Sequence, residues 1–235
     1  MESKFQAFCI IPLVLRDKPL RKRFYLSFTL NNESRLKTIV KIGSVLINTS
    51  SLHFGDFKTS GGNSSSYYLD LRSLPSFPNE FKFIISTYIE TLKEQQLIFD
   101  SIAAIPTAGL TYGMSISYDL MKPLIYVRTS TKSHGLMKQI EGRLNSGQRV
   151  LIVDDLITSG GSILNSINAI RSAGGIVTDA LVLIDRLEMG SSLLAQHDVK
   201  LTSITDINEL AKIMNDSGLI TNDQFLSIQK QSSNP

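Results

Sequence analysis

The sequence predicts an α/β protein built on a central parallel β-sheet flanked by helices. Two observations carry that expectation. Apolar runs at residues 101–105, 124–127, 150–153 and 178–184 lack strict polar alternation, as strands covered on both faces do. The stretches between the runs place apolar residues at helical spacing, and strands joined through helices run parallel. At 235 residues, with 42% hydrophobic and 19% charged residues, the chain can bury one substantial core.

Residues 1–35 differ in character and form an N-terminal extension, in which 5–14 and 24–29 are expected to pair as a β-hairpin across the basic stretch 16–23. Residues 36–235 form the main domain. Ser34 is placed to cap a helix carrying Leu36, Ile39, Val40, Leu46 and Ile47, and a Gly- and Ser-rich passage follows at 55–66. A strand is expected at 67–71. Pro78 and Asn79 open an amphipathic helix with Phe81, Ile84, Ile85, Tyr88, Ile89 and Leu92 on one face, a stripe that core packing explains. Then come a strand at 101–105, a helix after Gly109, and strands at 124–127 and from Val150. Ile163, Leu164, Ile167 and Ile170 mark a helix that Gly174 and Gly175 close. A strand at 178–184 and short helices near 206–215 and 222–230, parted by Gly218, complete the order.

Composition excludes several functions. A net charge of +3 gives no field that would make nucleic acid the main partner. Cys9 stands alone, so no disulfide framework forms within the chain, and a reducing, cytoplasmic setting is expected. The apolar stretch 5–15 is interrupted by Gln6 and Pro12 and falls short of the ~20 residues a membrane span requires. No small-x-small cleavage site follows it, so neither membrane nor secretion is expected.

Chemistry concentrates after the Val150 strand. Asp154 and Asp155 end the apolar run, and Leu156, Ile157, Thr158, Ser159, Gly160, Gly161 and Ser162 lead into a helix. A helix N-terminus offers unpaired N–H groups and a positive dipole end, so small and hydroxyl residues there can surround a phosphate. Two carboxylates beside that phosphate suit sugar hydroxyls or a magnesium shell. The stretch is neither a Walker loop nor a G-x-G-x-x-G turn. Upstream, residues 128–149 form a long connection with Arg128, Lys132, His134, Lys138 and Arg143, and connections of that length inside a compact domain are functional lids or disordered. A cationic lid would place fixed charge where a polyphosphate departs.

The stretch 150–163 resembles the 5-phosphoribosyl-1-pyrophosphate (PRPP) motif of type I phosphoribosyltransferases. Arg128, then Lys132-Ser133-His134-Gly135, then Gly142 before the motif strand resembles the catalytic loop of orotate phosphoribosyltransferases. The segments 67–72 and 183–188 agree, and Ile105-Pro106-Thr107-Ala108-Gly109 falls where the family keeps its pyrophosphate turn. The resemblance covers 36 to about 230 and implies a type I phosphoribosyltransferase-like sheet with a small hood. It implies transfer of ribose 5-phosphate from PRPP to N1 of orotate, with magnesium held mainly by PRPP and reached from Asp154 or Asp155 through water. By the same resemblance, Lys132, His134 and Asp155 are catalytic, and Arg128, Lys132 and His134 meet pyrophosphate across a homodimer. Asp154 and Asp155 face the ribose hydroxyls, residues 158–162 hold the 5′-phosphate, Thr107 and Ala108 form the pyrophosphate turn, and Thr158, Arg186 and Tyr68 meet orotate. His134 fits either a cationic or a proton-donating role. Arg186 could grip a carboxylate or serve a salt bridge to Asp185 or Glu188. A separate orotidine 5′-monophosphate (OMP) decarboxylase is an expected associate.

Departures from the family pattern remove positive charge: Thr129, Ala108 and Thr59 stand where many members carry lysine, with Lys58 one place before Thr59. Another base phosphoribosyltransferase, or a non-catalytic PRPP sensor, therefore stays open beside the main reading.

Overall fold

The computed structural model describes residues 18–58, 64–128 and 139–232, with side chains from residue 33 onward. The chain divides into two compact units, Met1–Thr38 and Ile39–Pro235. In the first, the described residues are helical: α1 runs Lys18–Asn48 and continues into the second unit. The strand expected over 24–29 is therefore corrected to helix, while its expected partner, 5–14, lies outside the described residues. The local chemistry explains the correction. Residues 18–42 contain no glycine, and the one proline, Pro19, sits in the first turn, where its missing N–H is not needed. Ser34, expected as a cap, is interior to α1, and its carbonyl accepts the Thr38 hydroxyl at 3.2 Å.

The second unit contains β1 (Leu52–Lys58) and β2 (Ser64–Leu69), an antiparallel pair, then a 3-10 turn (Leu71–Ser76) and α2 (Pro78–Glu94). Leu71 thus leaves the strand expected to include it, because the chain tightens where the Ser73 hydroxyl bonds the Asp70 carbonyl at 3.0 Å. Next come β3 (Ser101–Ala104), α3 (Gly109–Asp119), β4 (Leu124–Val127), β5 (Ile140–Glu141), β6 (Arg149–Val153), β7 (Leu156–Ile157), α4 (Gly161–Ser172), β8 (Ile176–Asp185), α5 (Gly190–Gln196), β9 (Lys200–Asp206), α6 (Ile207–Asp216) and α7 (Asn222–Ser232). β3 lies between β4 and β6, and β8 takes β6, β7 and β9 as neighbours. All these pairings are parallel except the β4–β5 pair.

The central strands are covered on both faces, as their composition requires. Leu151, Val153, Leu181 and Leu183 belong to one apolar cluster with Ile42, Leu46, Ile84, Tyr88, Ile116 and Leu210. Ile152, Ala180 and Val182 belong to another with Ile163, Ile167, Ile170 and Leu194. Each fully buried Ile or Leu contributes roughly 1.5–3 kcal/mol, so the sheet centre is the least deformable part of the molecule. β1 and β2 form the hood, tied to α7 where Gln231 Oε1 accepts the Ser66 N–H at 2.9 Å.

Candidate active site

The chain turns left from β3 to β4 and right from β6 to β8, and such a reversal opens a crevice at the carboxyl ends of β3 and β6. An open cleft of about 200 Å³ lies there, lined by Ile105–Ala108 and Asp154–Ile163. Thr107, Ala108, Asp154, Asp155, Leu156, Ile157, Thr158, Ser159, Gly160, Gly161 and Ser162, each expected at the site, therefore meet around one space. The Pro106–Thr107 peptide bond is cis.

Gly160 (φ 80°) makes the turn into α4, a left-handed conformation that glycine adopts without steric cost. The first turn of α4, Gly161, Ser162 and Ile163, then lines the cleft. A neighbouring cleft of about 510 Å³ is lined by Arg128, Gln139, Asn165 and Ser162 and shares Ile105 and Pro106 with the first. Arg128 lines this second cleft. Its N–H donates to Gln139 O at 2.9 Å and its guanidinium pairs with Glu141 at 3.3 Å, so both ends of the segment 129–138 are tied at one place. Lys132 and His134, with Thr129, lie outside the described residues, as does Thr59.

The acidic pair is buried. Asp154 Oδ1 accepts the Asp155 N–H at 3.0 Å, Asp155 Oδ1 accepts the Leu156 N–H at 2.9 Å, and Tyr88 donates its hydroxyl to the Asp154 carbonyl at 2.7 Å. Burial, reinforced by the neighbouring Asp155 charge, pushes the Asp154 carboxyl well above the usual range. Burial also raises Asp155, against hydrogen bonds from its neighbours and the Arg72 charge. The same desolvation lifts the Tyr88 and Tyr112 hydroxyls. Among the described residues neither carboxylate has an ion-pair partner, and buried carboxylates so placed suit hydroxyl donors or a cation.

Two arginines stand near the motif on different elements. Arg72 donates to Asp70 at 2.7 Å and to the Tyr68 hydroxyl at 2.6 Å, fixing the hood tyrosine expected at the site. Its guanidinium holds the Asp70 carboxyl below the usual range, with burial opposing. Arg186, one residue past β8, anchors its N–H on Ile157 O at 3.0 Å, which puts it beside the motif. Its side chain is 9% exposed, pairs with Glu188 at 2.8 Å and lies 4.9 Å from the Tyr67 ring centre. The salt bridge to Glu188 forms, whereas the Asp185 carboxylate takes the Leu187 N–H instead. Tyr88, whose hydroxyl bonds the Asp154 carbonyl, and Tyr112, whose hydroxyl bonds the Leu71 carbonyl, support the site in a way that sequence spacing does not reveal, since each comes from a separate helix.

Comparison with known proteins decides the family. Residues 71–211 match the phosphoribosyl transferase domain. An orotate phosphoribosyltransferase of Cenarchaeum symbiosum (strain A) is 38% identical over 186 residues, 78% of this chain and 93% of the relative. The chain belongs to the orotate phosphoribosyltransferase family. Another orotate phosphoribosyltransferase, of Pyrobaculum islandicum, is 44% identical over 138 residues, 59% of this chain and 70% of the relative. The solved orotate phosphoribosyltransferase of Aeropyrum pernix superposes with TM-score 0.68 at 34% identity, covering 77% of this chain and 99% of that one. Leishmania donovani UMP synthase superposes with TM-score 0.76 at 29% identity, covering 83% of this chain and 42% of that chain. The fold expected from sequence is thus the fold of the orotate phosphoribosyltransferase family, and the cleft described above lies within the matched domain.

Proposed function

We propose that this chain transfers the 5-phosphoribosyl group of PRPP to N1 of orotate, giving OMP and pyrophosphate, a step of UMP biosynthesis. The observation that carries the reading is the joining of the Thr158–Ser162 turn, the buried Asp154–Asp155 pair and the Thr107–Ala108 turn around one cleft, in a chain of this family. The first turn of α4 and the Thr158, Ser159 and Ser162 hydroxyls receive the 5′-phosphate. Asp154 and Asp155 accept the ribose 2′ and 3′ hydroxyls, holding the sugar while the bond from C1′ to pyrophosphate breaks and the bond to N1 forms. Thr107 and Ala108 offer backbone groups to the pyrophosphate. Lys132, with Arg128 and His134, stabilises the charge that develops on it. Thr158, Arg186 and Tyr68 meet orotate.

Among the described residues, no group of three or more His, Cys, Asp or Glu is arranged to hold a metal. Magnesium would be held mainly by PRPP oxygens, with Asp154 or Asp155 reaching it through water, and it would neutralise the leaving pyrophosphate. Among the described residues no helix is long and apolar enough to cross a membrane. A cytoplasmic enzyme, a homodimer sharing its loop, and a separate OMP decarboxylase as associate complete the proposal.

Mixing the protein with PRPP, magnesium and orotate is expected to remove the orotate absorbance, and binding of PRPP without base consumption would favour the sensor reading instead. A second expectation concerns the shared loop. Lys132→Ala and Asp155→Asn proteins, each inactive, should regain part of the activity as hybrid dimers. Failure to complement after demonstrated subunit exchange would place the loop in its own subunit's site.

A further inference from the structure

We propose that Glu188 is a built-in counter-anion for Arg186, holding charge balance on the buried guanidinium in the empty site and yielding that balance to the carboxylate of the acceptor base. This rests on the reading that Arg186 meets orotate. The geometry separates charge from hydrogen bonding. Glu188 Oε1 lies 2.8 Å from Arg186 Nη2, yet neither Nη2 nor Nε has a hydrogen-bond acceptor among the described residues. Those two nitrogens form one edge of the guanidinium, the edge whose parallel N–H groups match a carboxylate in bidentate fashion. A buried edge left without acceptors is costly unless a ligand fills it.

The backbone is built to keep Glu188 in place. Leu187 (φ 59°) and Met189 (φ 72°) flank it, both left-handed and neither a glycine. Strained residues of this kind persist only where the surroundings fix them. Here the Asp185 carboxylate holds the Leu187 N–H at 2.8 Å, and the Met189 carbonyl accepts the Leu193 N–H at 3.0 Å as α5 begins. Tyr67 packs against the same guanidinium: its ring centre lies 4.9 Å from Arg186 Cζ, and it is 1% exposed. Arg186 thereby lies against a hood aromatic and a loop carboxylate, while its Nε and Nη2 make no well-aligned hydrogen bond among the described residues.

An anion beside the guanidinium lowers its attraction for a second anion, so Glu188 makes free Arg186 tolerable at the cost of acceptor affinity. Glu188→Gln keeps the shape and removes the charge. The variant should bind orotate about fivefold more tightly, with the KM for PRPP unchanged and a lower thermal midpoint for the free protein. Glu188→Asp, which keeps the charge, should stay within about twofold of the parent for orotate. Orotate affinity that is unchanged or weaker in Glu188→Gln would overturn the proposal while leaving the function standing. Absence of orotate binding and turnover in the parent protein would instead fail the underlying reading, and the counter-anion role with it.

Discussion

Asp154→Asn is expected to make the free protein more stable at neutral pH and to reduce kcat/KM by about two to three orders of magnitude, as loss of charge-assisted hydroxyl bonds worth ~1.5–3 kcal/mol each implies. The two effects share one cause. Asp154 is buried and faces Asp155, and both influences raise its carboxyl above the ordinary 3.8. A carboxyl raised on folding binds more protons in the native state than in the unfolded one. Its burden is therefore absent below the unfolded value, grows as pH rises through the window above it, and is fully present once the folded carboxyl ionises. An amide carries no such burden. Its oxygen can still accept the Asp155 N–H, and its N–H₂ can donate to the Asp155 carboxylate in place of a shared proton. Thermal unfolding at about pH 4 and about pH 8 should show a gain only at the higher pH. A loss of stability at the higher pH would show that the buried pair is compensated in the folded protein without ligand. The trade follows from what the site must do, since carboxylates ready to accept sugar hydroxyls cannot be fully satisfied beforehand.

The legibility of this protein in its sequence follows a physical line. β3, β4, β6 and β8 are readable because burial on both faces forces uninterrupted apolar runs, and α2 and α4 because one face must repeat at helical spacing. β1 escapes notice because Gly55 and Asp56 sit at a register shift between Phe54 and Phe57. β9 reads as polar loop because Lys200, Thr202, Ser203 and Thr205 dominate it, and only pairing along β8 makes it a strand. At seven residues α5 is too short for a period to appear. The Asp154–Ser162 lining of the cleft is legible because its parts are contiguous, and Arg186 because it follows a strand end. The Tyr67–Arg186–Glu188 clamp is not, since it joins β2 to a turn far along the chain. Resemblance directs attention to Tyr68, whose hydroxyl takes Arg72, whereas the neighbouring Tyr67 is the tyrosine that touches Arg186. Strand alternation sends adjacent side chains to opposite faces, so that distinction waits for the register of β2.

Gly109→Ala is expected to damage the site with a single methyl group. Gly109 begins α3 directly behind the acidic pair, and a Cβ there would stand 2.6 Å from Asp154 Oδ1, 3.0 Å from the Val153 carbonyl and 3.1 Å from Asp154 Cα. Two of these neighbours are backbone of the sheet centre, which cannot yield, and the third is the carboxylate proposed to hold ribose. The strain must therefore move α3 and the adjoining 105–108 turn, or rotate Asp154 out of its bond to the Asp155 N–H. Overpacking of this kind costs about 1–3 kcal/mol of stability, and a displaced sugar-binding carboxylate should lower kcat/KM by roughly a hundredfold. Gly147→Ala offers the contrast, because nothing lies within 4 Å of a Cβ there and its φ of 78° is the only strain. Its effect should be confined to stability. PRPP affinity measured beside thermal unfolding separates the two: Gly109→Ala should lose both, Gly147→Ala only the second. Full PRPP affinity in folded Gly109→Ala protein would mean that Asp154 does not hold the ribose.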